Sequence, residues 1–170
     1  MSRILYSFLL FSVLFGNAEN VSRGFIKKIG DQAPDFNMIY TTGENIRLSD
    51  LRGSTVILQF TASWCSVCRL EMPHLEKDVW QAYKDKNVIL IGIDRDEPLE
   101  KVIEFKKDMK TTYPIALDPG AEIFSLFAEK NSGVTRNVVI NPNGEIVFLT
   151  RLFEENEYHK MLDVIEKLSK

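Results

Sequence analysis

The chain has 170 residues, 45% of them hydrophobic, with 21 basic and 24 acidic residues and a net charge of −3. That length predicts one domain with a proper core. The charges are interspersed, with no basic stripe or Lys/Arg-rich tail, which argues against a nucleic-acid partner.

The N-terminus, "MSRILYSFLLFSVLFGNA", has Arg3, an apolar run from Ile4 to Phe15, then small residues. This is the pattern of a secretory signal, with Gly16 and Ala18 at the −3 and −1 positions of a cut after Ala18. The run is too short to span a bilayer comfortably, and no cysteine follows it to carry a lipid. Residues 1–18 are therefore expected to be a signal peptide, 19–29 a polar lead-in and 30–170 the domain. An uncleaved segment would instead anchor the domain to a membrane. Either way the domain is expected to be exported, in a periplasmic setting.

Within the domain, "FNMIY-TTGE-NIRL" predicts two short strands around a Gly43 turn, and "LSDLRGS" a turn or one helical turn. Thr55 to Phe60, "TVILQF", is β-branched and almost wholly apolar, as a central strand buried on both faces reads. Val67 to about Lys84 has helical periodicity, with Met72, Leu75, Val79, Ala82 and Tyr83 on one face and Pro73 inside, where it should kink the helix. Asn87 to Asp94 predicts a second buried strand, and Leu99 to Met109 a helix with Leu99, Val102, Phe105 and Met109 on one side. "YPIAL" predicts a short strand, Ala121 to Ala128 a short helix, and "NVVIN-PNG-EIVFLT" a strand pair joined by a Pro-Asn-Gly turn. Glu154 to Leu168 predicts a closing amphipathic helix with Tyr158, Met161, Ile165 and Leu168 inward. No internal repeat or low-complexity segment interrupts this order. Strands alternating with helices, then a hairpin and helix, give an α/β sandwich with a mixed sheet.

The only two cysteines, Cys65 and Cys68, sit in "SWCSVC" directly behind Trp64. A structural disulfide over so short a loop removes little entropy from the unfolded chain. A zinc site normally needs four ligands, and only His74 and His159 could join the pair. A redox couple needs only two sulfurs within reach of each other. In an oxidising compartment a stray thiol is a liability, so an isolated C-x-x-C reads as a working pair. It follows a central strand and opens a helix, in the crevice where open α/β sheets put their chemistry. A helix N-terminus stabilises a thiolate through its unpaired N–H groups and partial positive charge. Cys65 would lie at the helix mouth and Cys68 one turn deeper, with the sulfurs together on one face. Cys65 can then attack a disulfide, and Cys68 can resolve the mixed disulfide by forming the Cys65–Cys68 bond. Arg69 could add positive potential but reads more simply as a solvated helix cation, and His74 and His159 as surface residues.

"FTASWCSVCRLEMP" resembles the active site of thioredoxin-fold proteins. The wider pattern is similar to exported TlpA/ResA-type thiol-disulfide oxidoreductases of the AhpC/TSA-redoxin group. It rests on "GDQAPDF", "WCSVC" followed by Glu71 and Pro73, the added helix and strand from Leu99 to Leu117, and "GVTRNVVINPNGEI". The resemblance spans about Gly30 to Leu168. It implies a thioredoxin-like sandwich with a central mixed sheet, an N-terminal β-hairpin and a helix–strand insertion. It implies that Glu71, buried near the pair, helps Cys68 lose or accept its proton. A carboxylate in an apolar cleft has a raised pKa and suits that task; the other reading is an ordinary acid in the first turns of a helix. Thioredoxins use a buried aspartate six residues before the first cysteine, and Gln59, which stands there, does not titrate. Trp64, Ser66, Val67, Val134 and Thr135 are the implied substrate-facing residues. One departure concerns the proline, usually cis, that faces the cysteines in the family; the aligned residue here is Thr135. A cis bond before a non-proline residue costs roughly 2.5–4 kcal/mol, so a trans bond is expected, with the Thr135 hydroxyl near Cys65.

The leading expectation is a thiol-disulfide oxidoreductase, monomeric, without cofactor or metal. Its expected partners are protein thiol/disulfide clients and a membrane or soluble thiol electron donor, with reduction the favoured direction. A peroxiredoxin-like thiol peroxidase is the alternative, suggested by "GDQAPDF" and Thr135. Against it, Ala62 occupies the place, three residues before the reactive cysteine, where such enzymes carry Thr or Ser. A non-catalytic binding module is the third reading.

Overall fold

The computed structural model describes residues 22–170. The proposed signal segment and its cut after Ala18 lie outside the described residues. Seven strands form one sheet: β1 (Asn37–Tyr40), β2 (Asn45–Arg47), β3 (Thr55–Thr61), β4 (Val88–Arg95), β5 (Ile115–Asp118), β6 (Arg136–Ile140) and β7 (Ile146–Arg151). Their order across the sheet is β2-β1-β5-β4-β3-β6-β7. The β3/β4 and β4/β5 pairs are parallel, and the remaining pairs are antiparallel. The helices are α1 (Ser66–Leu75), α2 (Leu99–Met109), α3 (Glu122–Ser125) and α4 (Glu155–Leu168). This is the mixed-sheet, thioredoxin-like α/β sandwich with N-terminal hairpin and helix–strand insertion that the sequence predicts.

All seven residues of β3 are buried, so both of its faces are covered. Strand alternation divides them. Val56, Leu58 and Phe60 face a layer containing Phe25, Met38, Leu48, Ile123, Phe124 and Phe127. Ile57 faces the other layer, with Met72 and Leu75 of α1, Val102 and Phe105 of α2, and Tyr158, Met161 and Ile165 of α4. By the same alternation Gln59 and Thr61 point beneath α1, which fixes the polar floor of the site. Phe25, from the lead-in, is part of the core at 8% exposure.

Three local expectations need correction. The regular α ladder of the first helix ends at Leu75 and continues as a π turn over Glu76–Gln81. Pro73 has no N–H to give to the carbonyl four residues earlier, and a wider i→i+5 turn follows. The extra residue in that turn rotates the helix face, so Ala82 is exposed while Val79 is buried. Leu99 stands at the first turn of α2, 37% exposed, rather than on its buried side. The helix expected over 121–128 is only α3, because Gly120 and Ala121 take left-handed backbone angles (φ 71° and 55°). The carboxylate of Asp118 caps α3 by accepting the N–H groups of Ile123 and Phe124 at 2.8 and 2.9 Å.

Candidate active site

Cys65 is the N-cap of α1, with extended backbone (φ −88°, ψ 107°). Its sulfur takes the place a Ser or Asp oxygen usually fills and accepts the Cys68 N–H at 3.3 Å. Both cysteines are free thiols; Cys65 is half-buried and Cys68 fully buried. The Thr135 hydroxyl lies between them, 3.1 Å from Cys65 Sγ and 3.2 Å from Cys68 Sγ. A single hydroxyl can donate to only one of the two sulfurs at a time.

This arrangement separates the two thiols electrostatically. The Cys68 S–H donates to Cys65, and with further help from Thr135 and the N–H groups of Cys68 and Val67 it lowers the Cys65 pKa to about 5, against the opposing effect of burial. Cys68 moves the other way: its hydrogen bond to Cys65 and its burial hold its proton well above the usual thiol range. At neutral pH Cys65 is the thiolate and Cys68 the thiol.

Glu71 follows Cys68 by one turn and is 1% exposed. Its carboxylate accepts from Asn137 Nδ2 at 2.6 Å and Gln59 Nε2 at 3.3 Å. Burial pushes its pKa up to about 7; the two amides pull it down, and the negative charge of Cys65 pushes it further up. Gln59 and Asn137 are cross-strand partners in the β3/β6 ladder, so both side chains rise from the sheet under α1. Tyr113, fully buried, donates its hydroxyl to Gln59 Oε1 at 2.7 Å, and Asn137 Nδ2 also donates to Thr150 Oγ1 at 2.8 Å. Sequence reasoning missed Asn137, Tyr113 and Thr150 and treated Gln59 only as a group that does not titrate. The available signal was an amide at each of two facing positions in otherwise apolar strands.

The Thr135 loop is fixed from below. Arg136 is wholly buried, its guanidinium 4.6 Å over the Phe25 ring, and it donates to Arg23 O at 3.0 Å and Ser132 Oγ at 2.7 Å. Arg95 donates to Ser132 O at 3.0 Å and to Lys130 O. Gly24 (φ 81°) is needed there, since a Cβ would meet Arg136 Nη2 at 2.7 Å. Among the described residues no peptide bond is cis, so Val134–Thr135 is trans.

Of the substrate-facing set, Trp64 is 65% exposed, Ser66 is exposed and Val67 half-buried, all at the mouth of α1. Val134 is buried with its side chain in the core, and Thr135 is buried against the sulfurs. Arg69 is exposed and lies 5.5 Å over the Phe105 ring, with Nη1 donating to Ser63 O at 3.5 Å. His74 and His159 are exposed; His74 stacks 4.9 Å from Phe153. Among the described residues no group of three or more His, Cys, Asp or Glu is arranged to hold a metal.

Comparison with known proteins adds a lineage to this geometry. The AhpC/TSA family profile matches residues 29–149. The chain belongs to the AhpC/TSA family. Within it, a thiol-disulfide oxidoreductase, ResA of Oceanobacillus iheyensis, is 33% identical over 143 residues, covering 81% of this chain and 73% of that protein. The solution structure of a candidate protein disulfide isomerase from Bacteroides thetaiotaomicron is 52% identical with a TM-score of 0.84, over 86% of this chain and 92% of that one. A candidate thiol:disulfide interchange protein DsbE from Chlorobium tepidum is 26% identical with a TM-score of 0.74, over 84% and 99% of the two chains. This AhpC/TSA member is a thiol-disulfide oxidoreductase of the ResA/DsbE type.

Proposed function

We propose that the protein works outside the cytoplasm as a dithiol reductant of protein disulfides, with Cys65 as nucleophile, Cys68 as resolving thiol and Glu71 as proton acceptor. The observation that carries this reading is the asymmetric pair: a half-exposed Cys65 sulfur receiving hydrogen bonds, above a buried Cys68 that keeps its proton. The Cys65 thiolate attacks one sulfur of a client disulfide; a mixed disulfide forms, and the other client sulfur leaves as a thiolate. With the Cys65 charge consumed, Cys68 gives its proton to Glu71 and attacks Cys65 Sγ. The client's second sulfur leaves, and the Cys65–Cys68 disulfide has delivered two electrons. A separate thiol donor, membrane-bound or soluble, resets the pair. Trp64, Ser66 and Val67 form the rim on which a client strand rests, with Val134 and Thr135 behind them.

Export rests on the N-terminal pattern of Arg3, the apolar run and Ala18, with residues 30–170 as the working domain. The reducing direction is the one implied by the resemblance of the sequence to TlpA/ResA-type oxidoreductases. Cys68→Ser is expected to accumulate a mixed disulfide through Cys65 when the protein is incubated with an oxidised client, and Cys65→Ser to accumulate none. The reverse pattern refutes the assignment. A reduction potential near the thioredoxin value of about −270 mV supports a reductant, and one near −120 mV an oxidant.

A further inference from the structure

Beside the thiol pair lies a second buried acid that the exchange chemistry above does not use. Asp94 is the penultimate residue of β4, paired in register with Thr61 at the end of β3. It is fully buried, and neither carboxylate oxygen meets a donor. Glu97, three residues on, is half-buried and carries the loop that leads to Cys65. Its carboxylate accepts the Ser63 N–H at 2.5 Å and the Ser63 hydroxyl at 2.6 Å. Ser63 stands two residues before Cys65, whose own N–H bonds back to Ala62 O at 3.1 Å. The loop that sets the Cys65 sulfur thus hangs from Glu97, three residues along the chain from Asp94 and the nearby charge that acts on it most strongly.

An ionised Asp94 has nothing to hold its charge. Glu97 repels it, and so does Asp118 of β5, whose carboxylate is engaged by the α3 amides. Arg95, the adjacent cation, is turned to the Phe124 ring and to the carbonyls of Lys130 and Ser132. Thr61, the in-register neighbour, directs its hydroxyl to Met72 Sδ at 3.6 Å. Protonated, Asp94 has one O–H to give, and the Glu97 carboxylate is there to take it. Two carboxyl groups can share a site only when one of them holds a proton.

We infer that Asp94 and Glu97 form a proton-sharing carboxyl pair that positions the Ser63–Cys65 loop, so that Asp94 is a positioning residue for thiol exchange. Burial and the charge of Glu97 raise the Asp94 pKa to about 8. When Asp94 ionises, the two carboxylates repel, Glu97 releases Ser63, and the Cys65 sulfur loses its alignment over the Cys68 N–H. Thiol exchange therefore has an alkaline limb that comes from neither cysteine.

This inference rests on Cys65 being the attacking thiol. The test is the rate of the fast reaction of the reduced full chain with a chromogenic aryl disulfide between pH 6 and 10, in wild type, Asp94→Asn and Glu97→Gln. Wild type is expected to lose about tenfold in rate for each pH unit above its midpoint. Asp94→Asn, which keeps an N–H donor and does not ionise, is expected to lack the limb. Glu97→Gln removes the repelling charge while its amide oxygen can still accept from Ser63, so ionisation of Asp94 no longer frees the loop and this variant is expected to lack the limb too. A wild-type profile without the limb, or one midpoint shared by all three proteins, overturns the inference. A fast phase that survives Cys65→Ser overturns the reading of the nucleophile instead, so the two failures are told apart.

Discussion

Replacing Glu71 by Gln isolates what it costs the fold to keep a carboxyl group under α1. The folded pKa of about 7 stands against an ordinary 4.5, because burial opposes the charged form more than Asn137 and Gln59 support it. At about 1.4 kcal/mol per pKa unit, that difference corresponds to about 3 kcal/mol. The folded pKa is raised, so the stability linked to this group is complete below pH 4.5 and drains away as pH rises through 7. The substituted glutamine does not titrate, and it presents one amide donor where protonated Glu71 presents one hydroxyl. Asn137 Oδ1 is buried without a donor, and a turn of the Asn137 amide would present it to either group. Glu71→Gln should therefore match wild type near pH 4 and exceed it by about 3 kcal/mol at pH 8. Urea unfolding of both reduced proteins from pH 4 to 9, with equal m-values, measures the gap. A gap that does not change with pH refutes the reasoning, whatever its size. In the oxidised proteins the gap should narrow, because the Cys65 charge that helps raise Glu71 is gone.

Thr135→Val removes a hydroxyl donor from the Cys65 thiolate; at about 1.5–3 kcal/mol for a hydrogen bond to a charged group, the Cys65 pKa should rise by about one to two units in alkylation-versus-pH curves, and Thr135→Ser should restore it. The reduction potential should fall by about 30 mV per pH unit where one proton accompanies two electrons. Near pH 7 it should fall more steeply, because Cys65 turning into a thiolate draws a further proton onto Glu71, and Glu71→Gln should return the slope to about 30 mV. Tyr113→Phe strips Gln59 Oε1 of its donor in a buried site and should lower stability by about 1–3 kcal/mol in urea titration.

The legible parts of the fold were those with a strong local pattern. β3 announces itself through five apolar or β-branched residues in "TVILQF", and its burial on both faces follows from the absence of alternation. Cys65 and Cys68 were legible because helix spacing alone decides which lies at the mouth and which beneath. The periodicity read through Pro73 failed at Ala82, since a π turn changes the phase without leaving a mark in the apolar spacing. The helix expected at Ala121 failed for a different reason: nothing in an alanine forecasts a positive φ, which here lets the Asp118 carboxylate reach the N–H groups of Ile123 and Phe124. Asp94 looked like the polar end of a strand, and its meaning depends on Glu97 and Ser63, brought together by the β3/β4 register rather than by sequence distance.

Gln59 shows most clearly how a residue's role can be visible only through its neighbours. In thioredoxins the position holds the titrating acid; here an amide fills it, and in the proposed mechanism the acid is Glu71 on the helix above. The displacement in sequence is 12 residues, but Gln59 Nε2 lies 3.3 Å from Glu71 Oε2. The carboxyl group therefore occupies the space beneath Cys68 from the helix side instead of the sheet side. That change of origin alters how the acid can respond. A side chain on β3 would be held by the strand ladder on both sides, whereas Glu71 sits on the same turn-by-turn face as Cys68 and is anchored from the sheet by two amides. Those amides, with Tyr113 behind one and Thr150 behind the other, hold the carboxylate oxygens while leaving its proton free to come and go. A neutral amide at position 59 suits the proton transfer proposed for Glu71: an aspartate there would put a second negative charge against Glu71 and raise its pKa further.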